Sequence, residues 1–152
     1  MHTSHSCPEC GARYTNADDS CAARFDALLA LDHSRREPWG SRHGQAFAAF
    51  ALQHPATHPK SLDSAWEALY RIYCLNERPA LVFADLRAHR AKRSSGVEVP
   101  PRPTEGAKSP TVTIADLTDF AAATYAERLD AWYRSALVAW GANVPSHAWD
   151  QD

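Results

Sequence analysis

The chain has 152 residues and a formal net charge of -2, and 45% of its residues are hydrophobic. This size and composition suit one globular domain with a substantial core, and they exclude an intrinsically disordered chain. The charge gives no electrostatic reason to expect nucleic acid or an anionic membrane as a partner, and no apolar run approaches the roughly 18 residues of a membrane span. Because the N-terminus lacks the basic and apolar regions of a signal peptide, we expect a cytoplasmic protein.

Three of the four cysteines lie in the segment CPECGARYTNADDSC, residues 7–21. The opening Cys7-Pro8-Glu9-Cys10-Gly11 is typical of a zinc knuckle, because two thiolates separated by two residues point into one concavity and the glycine lets the backbone turn its N–H groups toward the sulfurs. A thioredoxin-like redox pair is the alternative, but it requires a preceding buried strand. We do not expect residues 1–6 to form a strand, so the spacing favours metal over redox chemistry or unliganded thiols.

The next segments predict two helices. Ser20 can cap helix A, which we expect over about 20–33 with Cys21 in its first turn, where the helix dipole favours a thiolate. Helix B is expected over about 40–54, and its repeating residues share one face: His43, Phe47, Phe50 and His54. This shared face predicts that His43 points inward with the phenylalanines.

Two zinc ligands are still required, and the predicted helices restrict the choice. His43 and His54 lie about 16 Å apart along an ideal helix, so they cannot share one ion. A short connection favours an antiparallel hairpin, which brings the start of helix A beside the end of helix B. We therefore predict a structural Zn²⁺ site with the ligands Cys7, Cys10, Cys21 and His54. The alternatives are that His43 or His58 replaces His54, or that His54 only caps helix B.

The middle of the chain predicts two further helices. Helix C begins at Ser61 or Asp63 and carries an apolar stripe of Leu62, Trp66, Leu69 and Tyr73. Cys74 at its end is expected to be a small buried hydrophobic residue and not a metal ligand. Helix D is predicted over 79–93, beginning with Pro79 and ending in a basic, solvated face.

The last third divides into a loop and a helical region. Residues 94–112 contain four prolines and no helical period, which indicates a long loop or mobile flap. A helical region over 113–142, starting at Thr113 or Asp116, carries a stripe that we expect in the core: Tyr125, Leu129, Trp132, Ala136 and Trp140. The sequence thus predicts one all-α domain over 1–152, a bundle of about five helices (the first four within 20–93) with an N-terminal zinc knuckle.

Several short motifs recur in a characteristic order. They are CPECGA, the cysteine of DDSCAARF, the histidine of WGSRHG, FALQHP, VTIADL after the proline-rich stretch, and AWYRSALVAW. In this order, from residue 7 to about 149, the chain resembles the uncharacterised bacterial domain-of-unknown-function family 5946. The resemblance implies a fold and recurring polar positions, and it brings no established activity.

Two functional classes follow. The first is a small zinc-stabilised helical protein that acts by binding a small molecule or another protein. The second is a small enzyme, for which specialised metabolism is a candidate setting, with an inward-facing His43 in a pocket of a few hundred cubic ångströms. Tyr125 and His147 could contribute to this pocket, and the 94–112 loop could cover it. Nucleic-acid binding through the knuckle is disfavoured because Arg13 is its only basic residue. We favour the binding protein.

Overall fold

The computed structural model describes residues 4–88, 98–117 and 119–145. These residues form five α-helices, two short 3₁₀ helices (Pro59–Ser61 and Ile114–Asp116) and one two-stranded sheet. The strands are β1 (His5–Ser6) and β2 (Arg13–Tyr14), and the helices are α1 (Cys21–Asp32), α2 (His43–Gln53), α3 (Leu62–Tyr73), α4 (Pro79–Ala88) and α5 (Tyr125–Ala139). The prediction of five helices is confirmed in this part of the chain.

The all-α assignment requires a correction at the N-terminus. β1 and β2 are antiparallel, with His5 opposite Tyr14 and Ser6 opposite Arg13, so the expectation of no strand within residues 1–6 is wrong. The knuckle itself causes the pairing. The Cys7 N–H donates to the Ala12 carbonyl at 2.7 Å, which closes the turn and aligns the segments on either side of it.

Helices α1 and α2 form the predicted antiparallel pair. Cys21 at the start of α1 lies beside His54, the C-cap of α2, and Asp32 at the end of α1 lies 3.3 Å from His43 at the start of α2. Between these two contacts, the rings of Phe25 and Phe50 stack with their centroids 4.2 Å apart. The hairpin therefore places polar groups at both of its ends and an aromatic contact at its middle.

Helix α2 lies at the centre of the described fold and contacts α1, α3, α4 and α5. Small residues let these neighbours approach closely, because the buried positions of α2 include Ala46, Ala48, Ala49 and Ala51. Gly44 has a similar role, since an added Cβ would lie 2.6 Å from the Phe83 ring of α4. A side chain at this position would push α4 away from α2.

The predicted apolar stripes of α3 and α5 are confirmed, since all their members are buried. Two tryptophans of this region also have buried hydrogen bonds to α2. The Trp132 indole donates to the Gln53 side chain, and the Trp140 indole donates to the Leu52 carbonyl, each at 2.8 Å. Cys74, the C-cap of α3, is half-buried against the core, close to the prediction.

One predicted boundary differs from the structure, and one lies outside the described residues. α4 is described over Pro79–Ala88, and the remaining part of predicted helix D, 89–93, lies outside the described residues. Thr113 begins only the 3₁₀ helix, which it caps together with Asp116, and α5 begins at Tyr125. The reciprocal bonds between Thr113 and Asp116 satisfy the free N–H groups of that turn, but the segment does not continue as an α-helix.

The described part of the proline-rich segment, 98–112, contains no helix or strand and packs along α3 and α5. The Trp66 indole donates to the Pro100 carbonyl at 2.7 Å, the Lys108 N–H donates to Ala139, and the Val112 N–H donates to the Ser135 hydroxyl. These bonds make this segment a fixed connection.

Among the described helices, each is too short or too polar to cross a bilayer.

A buried arginine joins α3 to α4. The Arg71 side chain is 4% exposed and forms ion pairs with Glu67, Glu77 and Asp85, which are 23–28% exposed. The closest of these contacts, to Glu77 and Asp85, are 2.8 Å long. Arg71 is therefore shared by three carboxylates that come from α3, α4 and the turn between them.

Replacement of Arg71 by Met should lower the free energy of unfolding by about 3 kcal/mol, because three neighbouring carboxylates lose the buried cation that they share. Urea denaturation measures this loss. The matched control is Arg128→Met, which removes an exposed pair with Asp119 and should change stability by no more than about 0.5 kcal/mol. Equal effects of the two substitutions would contradict the proposed role of Arg71.

Candidate metal centre

Four metal-ligand side chains meet where the knuckle contacts the α1–α2 hairpin. One ligand atom from each of Cys7, Cys10, Cys21 and His54 lies within 4.8 Å of the other three. Three of these residues are buried, and Cys7 is half-buried. Among the described residues, this is the one group of three or more His, Cys, Asp or Glu side chains close enough to share a metal ion. Its members are positioned to bind such an ion.

The knuckle turn presents the first two sulfurs. The Gly11 N–H donates to the Cys7 carbonyl at 3.0 Å, and Gly11 has a φ of +80°, which a residue with a Cβ rarely adopts. The N–H of the following residue, Ala12, acts against the rise in the pKa of Cys10. That the glycine directs a backbone N–H at a thiolate stays a prediction.

The third sulfur belongs to the first residue of α1. The Ser20 hydroxyl accepts from the Ala23 N–H at 3.0 Å and caps the helix, which places Cys21 in its first turn. The Tyr14 hydroxyl donates to the Cys21 sulfur at 2.9 Å, and Tyr14 is buried. Tyr14 therefore joins β2 to α1 directly at the site.

His54 supplies the fourth ligand atom from the end of α2. Its Nδ1 lies 2.8 Å from the Phe50 carbonyl, which can only accept, so Nδ1 carries a proton and Nε2 carries the lone pair of the neutral ring, the form that binds metal. Nε2 is fully buried and faces the three sulfurs without a hydrogen bond of acceptable geometry. An unpaired buried acceptor is costly, and an ion in the cluster would satisfy it.

A carboxylate in the middle of the knuckle ties the two parts of the site together. Glu9 accepts from the Ala56 N–H at 2.6 Å, and from the Thr57 N–H and hydroxyl. Ala56 and Thr57 follow His54 by two and three residues. Burial favours a higher pKa for Glu9, but these hydrogen bonds, first that from the Thr57 hydroxyl, outweigh it and lower the pKa.

Protonation within the cluster is unevenly distributed. The pKa of Cys21 is lowered to about 4, first because the Cys10 thiol donates to it and then through His54 and Tyr14. The same bond, together with burial, raises the pKa of Cys10. Burial lowers the pKa of His54, but Cys21 and the Phe50 carbonyl more than offset it, so this pKa is raised. The cluster stabilises a thiolate, the form that binds metal.

The geometry of the sulfurs fits a tetrahedral ion. The Cys10 and Cys21 sulfurs are 3.6 Å apart, whereas two thiolates bound tetrahedrally to one Zn²⁺ lie about 3.8 Å apart. A disulfide would require about 2.05 Å, and all four cysteines of the chain are free. Three sulfurs and one imidazole nitrogen are a donor set that Zn²⁺ accepts readily.

The structure separates the other predicted residues from this cluster. Cys74 lies elsewhere, with its sulfur 3.7 Å from the Asn143 carbonyl. His58, an alternative fourth ligand, packs edge-on against Phe47 and Phe50. His147, predicted for the pocket, lies outside the described residues.

The prediction that His43 faces inward is wrong, because its side chain is 47% exposed. It also cannot replace His54, because it lies at the opposite end of the hairpin, where its Nδ1 is 3.3 Å from Asp32. The Tyr125 hydroxyl donates to the other oxygen of Asp32 at 2.9 Å. His43 and Tyr125 are therefore linked through a shared carboxylate that the sequence analysis did not identify, and a pocket formed by them stays a prediction.

Two cavities adjoin the cysteine cluster. One, of about 120 Å³, lies between the knuckle and the proline-rich segment, and its lining includes Glu9, Cys10, Lys108 and Trp140. The other, of about 230 Å³, is mostly apolar and lies over Cys7 and Cys21 beside the small sheet. Neither cavity is lined by His43 or Tyr125, so neither is the predicted pocket.

The functional residues that the sequence analysis missed are Glu9, Tyr14 and Asp32. The contacts of Asp32 depend on the hairpin and on α5. Glu9 lies inside the C-x-x-C motif, where a carboxylate gives no sign of its acceptor role. Tyr14 could have been found from its position four residues after Cys10, if the β1–β2 pairing had been predicted.

A model of the family described as a family of unknown function, DUF5946, matches residues 5–141. The match covers most of the chain and includes all four clustered ligands, so the chain belongs to this family. The resemblance inferred from the sequence motifs is confirmed. No curated protein and no solved structure matches the chain.

Replacement of Glu9 by Ala should speed hydrogen exchange at the Ala56 amide by about fivefold, because it loses an acceptor worth about 1 kcal/mol, and should speed it less at Thr57, whose amide also donates to the His54 carbonyl. Residue-resolved exchange by NMR measures the effect. Glu105→Ala, at an exposed position on the proline-rich segment, is the control and should leave both amides unchanged.

The Glu9 bonds should also weaken in acid. Because folding lowers the pKa of Glu9, its contribution is present above the unfolded value and is lost as the pH falls through the folded value. Exchange rates in the Glu9→Ala variant that match those of the parent chain near neutral pH would contradict this role.

Proposed function

We propose that this member of the DUF5946 family is a zinc-binding helical protein whose metal is structural and which acts as a binding module for a protein or a small molecule. The observation that carries the proposal is the buried, unpaired Nε2 of His54, which faces three cysteine sulfurs. A divalent ion satisfies that nitrogen and the thiolates together, and no other group in the described cluster does so.

The donor set supports zinc over redox chemistry. Thiolate and imidazole ligands suit Zn²⁺, whereas Mg²⁺ and Ca²⁺ prefer oxygen. A thioredoxin-like pair requires a buried strand that leads into the cysteines and a helix that begins at them. β1 is instead two exposed residues long, and Cys7 and Cys10 lie in a turn before β2.

The number and burial of the ligands support a structural site. Four protein donors complete a tetrahedron, whereas a catalytic zinc keeps one position for water or substrate. His54 and two of the sulfurs are buried, which limits access to the ion. When bound, the metal would hold together the knuckle, the start of α1 and the end of α2.

The cavities support binding over catalysis. At about 120 and 230 Å³, both are smaller than the roughly 300 Å³ of a typical small-molecule site. The enzyme alternative depends on a larger pocket with His43 inside it, and His43 lies on an exposed edge of the hairpin. A protein surface or a small fragment of a ligand is therefore the favoured partner.

Replacement of Cys10 by Ser should remove zinc and loosen the fold, because structural zinc sites contribute on the order of 10 kcal/mol. Elemental analysis should give one zinc per chain for the parent protein and at least tenfold less for Cys10→Ser, whose thermal transition should broaden or fall. The matched control, Cys74→Ser, removes a half-buried thiol outside the cluster and should keep its zinc. A parent protein without bound metal would refute the proposal.

The fourth ligand is tested by a pair of histidine variants. His54→Ala should lower zinc affinity by at least tenfold, because Nε2 is then absent from the tetrahedron. His58→Ala should leave the affinity unchanged, since His58 packs only on aromatic rings. Competition with a chromophoric chelator measures both affinities. The reverse ranking would assign the position to His58.

A further inference from the structure

A second pair of histidines lies at the opposite end of the α1–α2 hairpin from the cysteine cluster. His33 is the C-cap of α1 and His43 is the first residue of α2, and both are exposed. Their ring centroids are 5.5 Å apart and the rings are inclined by 67°. Two imidazoles that bind one ion through nitrogens at about 2.0 Å have centroids about 5 Å apart, so the observed spacing is close to that of a shared metal.

Each ring has a partner that determines its tautomer. His33 Nδ1 lies 2.8 Å from the Leu29 carbonyl, and His43 Nδ1 lies 3.3 Å from the Asp32 carboxylate. Because both partners can only accept, both Nδ1 atoms carry a proton, and in the neutral rings both Nε2 atoms carry a lone pair. Within the described residues neither Nε2 has a hydrogen-bond partner.

Asp32, whose carboxylate contacts His43, is itself held in place. The Asp32 side chain is 2% exposed, and one of its oxygens accepts from the Gly40 N–H at 3.0 Å and from the Tyr125 hydroxyl at 2.9 Å. Gly40 has a φ of +94°, and an added Cβ would lie 2.8 Å from the Asp32 carbonyl. The turn and α5 therefore leave the other oxygen of Asp32 free to orient His43.

We propose that His33 and His43 form a second metal site, in which their Nε2 atoms bind a borderline divalent ion such as Zn²⁺, Ni²⁺ or Cu²⁺. Metal-binding histidines typically donate their other ring nitrogen to a carboxylate or a backbone carbonyl, which are the two partners found here. Imidazole ligands select these ions over Mg²⁺ and Ca²⁺. The proposal goes beyond the zinc knuckle and does not depend on it.

The alternative chemistry for an Asp–His pair is general-base catalysis. That role requires a substrate held within hydrogen-bond reach of the imidazole, and neither cavity beside the cysteine cluster includes His43. A metal site at an exposed edge needs no cavity. With two protein ligands the ion keeps open positions, so it binds more weakly than the knuckle zinc and a donor from a partner or ligand can complete it.

Calorimetric titration of Zn²⁺ into full-length protein that already holds one equivalent tests the proposal. We expect one further binding event, weaker than the first. His33→Gln and His43→Gln should each weaken this event at least tenfold, and Asp32→Asn should weaken it about tenfold because it loses the negative charge that orients His43. His5→Gln and His58→Gln are controls that should leave it unchanged.

The outcomes distinguish the two sites. The histidine variants should retain the first equivalent of zinc and the parent thermal midpoint, so a loss of fold cannot explain their effect. If the knuckle binds no zinc, the second event still occurs and still depends on His33 and His43. No event beyond the knuckle, or an event that persists in both His33→Gln and His43→Gln, would overturn the proposal.

Discussion

The N-terminal part of this fold depends on one buried arrangement, in which three sulfurs and an imidazole nitrogen face each other across less than 4.8 Å. The His54 nitrogen has no protein partner of good geometry there, and the Cys10 and Cys21 sulfurs compete for a proton. A single divalent ion resolves both conditions. Such an ion would hold together three separate segments, which are the knuckle, the start of α1 and the end of α2.

The antiparallel hairpin explains why polar chemistry occurs at two places and not one. Its Phe25–Phe50 stack fills the middle, so polar side chains are confined to the ends, where turns supply backbone partners. At one end the ligands are enclosed and buried. At the other end Asp32 is buried while His43 remains exposed. The same packing therefore produces an enclosed polar cluster at one end and an open one at the other.

The cysteine spacing and the helix periods predicted much of the fold and of the cysteine cluster, because both are local properties of the sequence. The knuckle, the α1–α2 pairing and the buried stripe from Tyr125 to Trp140 followed from them, and the hairpin then favoured His54 over His43. The prediction that His43 faces inward was wrong for a physical reason. α2 is apolar on almost every face, so its period does not show which face is inward, and Phe47 on the same stripe is itself 39% exposed. Glu9, Tyr14 and Asp32 could not be assigned because their contacts join distant segments.

The small sheet cannot position the knuckle without help. An isolated two-stranded hairpin is marginal in water, and β1 and β2 pair over only two residues each. Few apolar residues of this segment reach the core, chiefly Cys10, Ala12 and Tyr14. With the proposed Zn²⁺ bound, three thiolates and a neutral imidazole would leave a net charge of -1, which the Tyr14 hydroxyl would partly offset by donating to the Cys21 sulfur. The proposed metal and this donor would thus supply the stability that a hydrophobic core would otherwise provide.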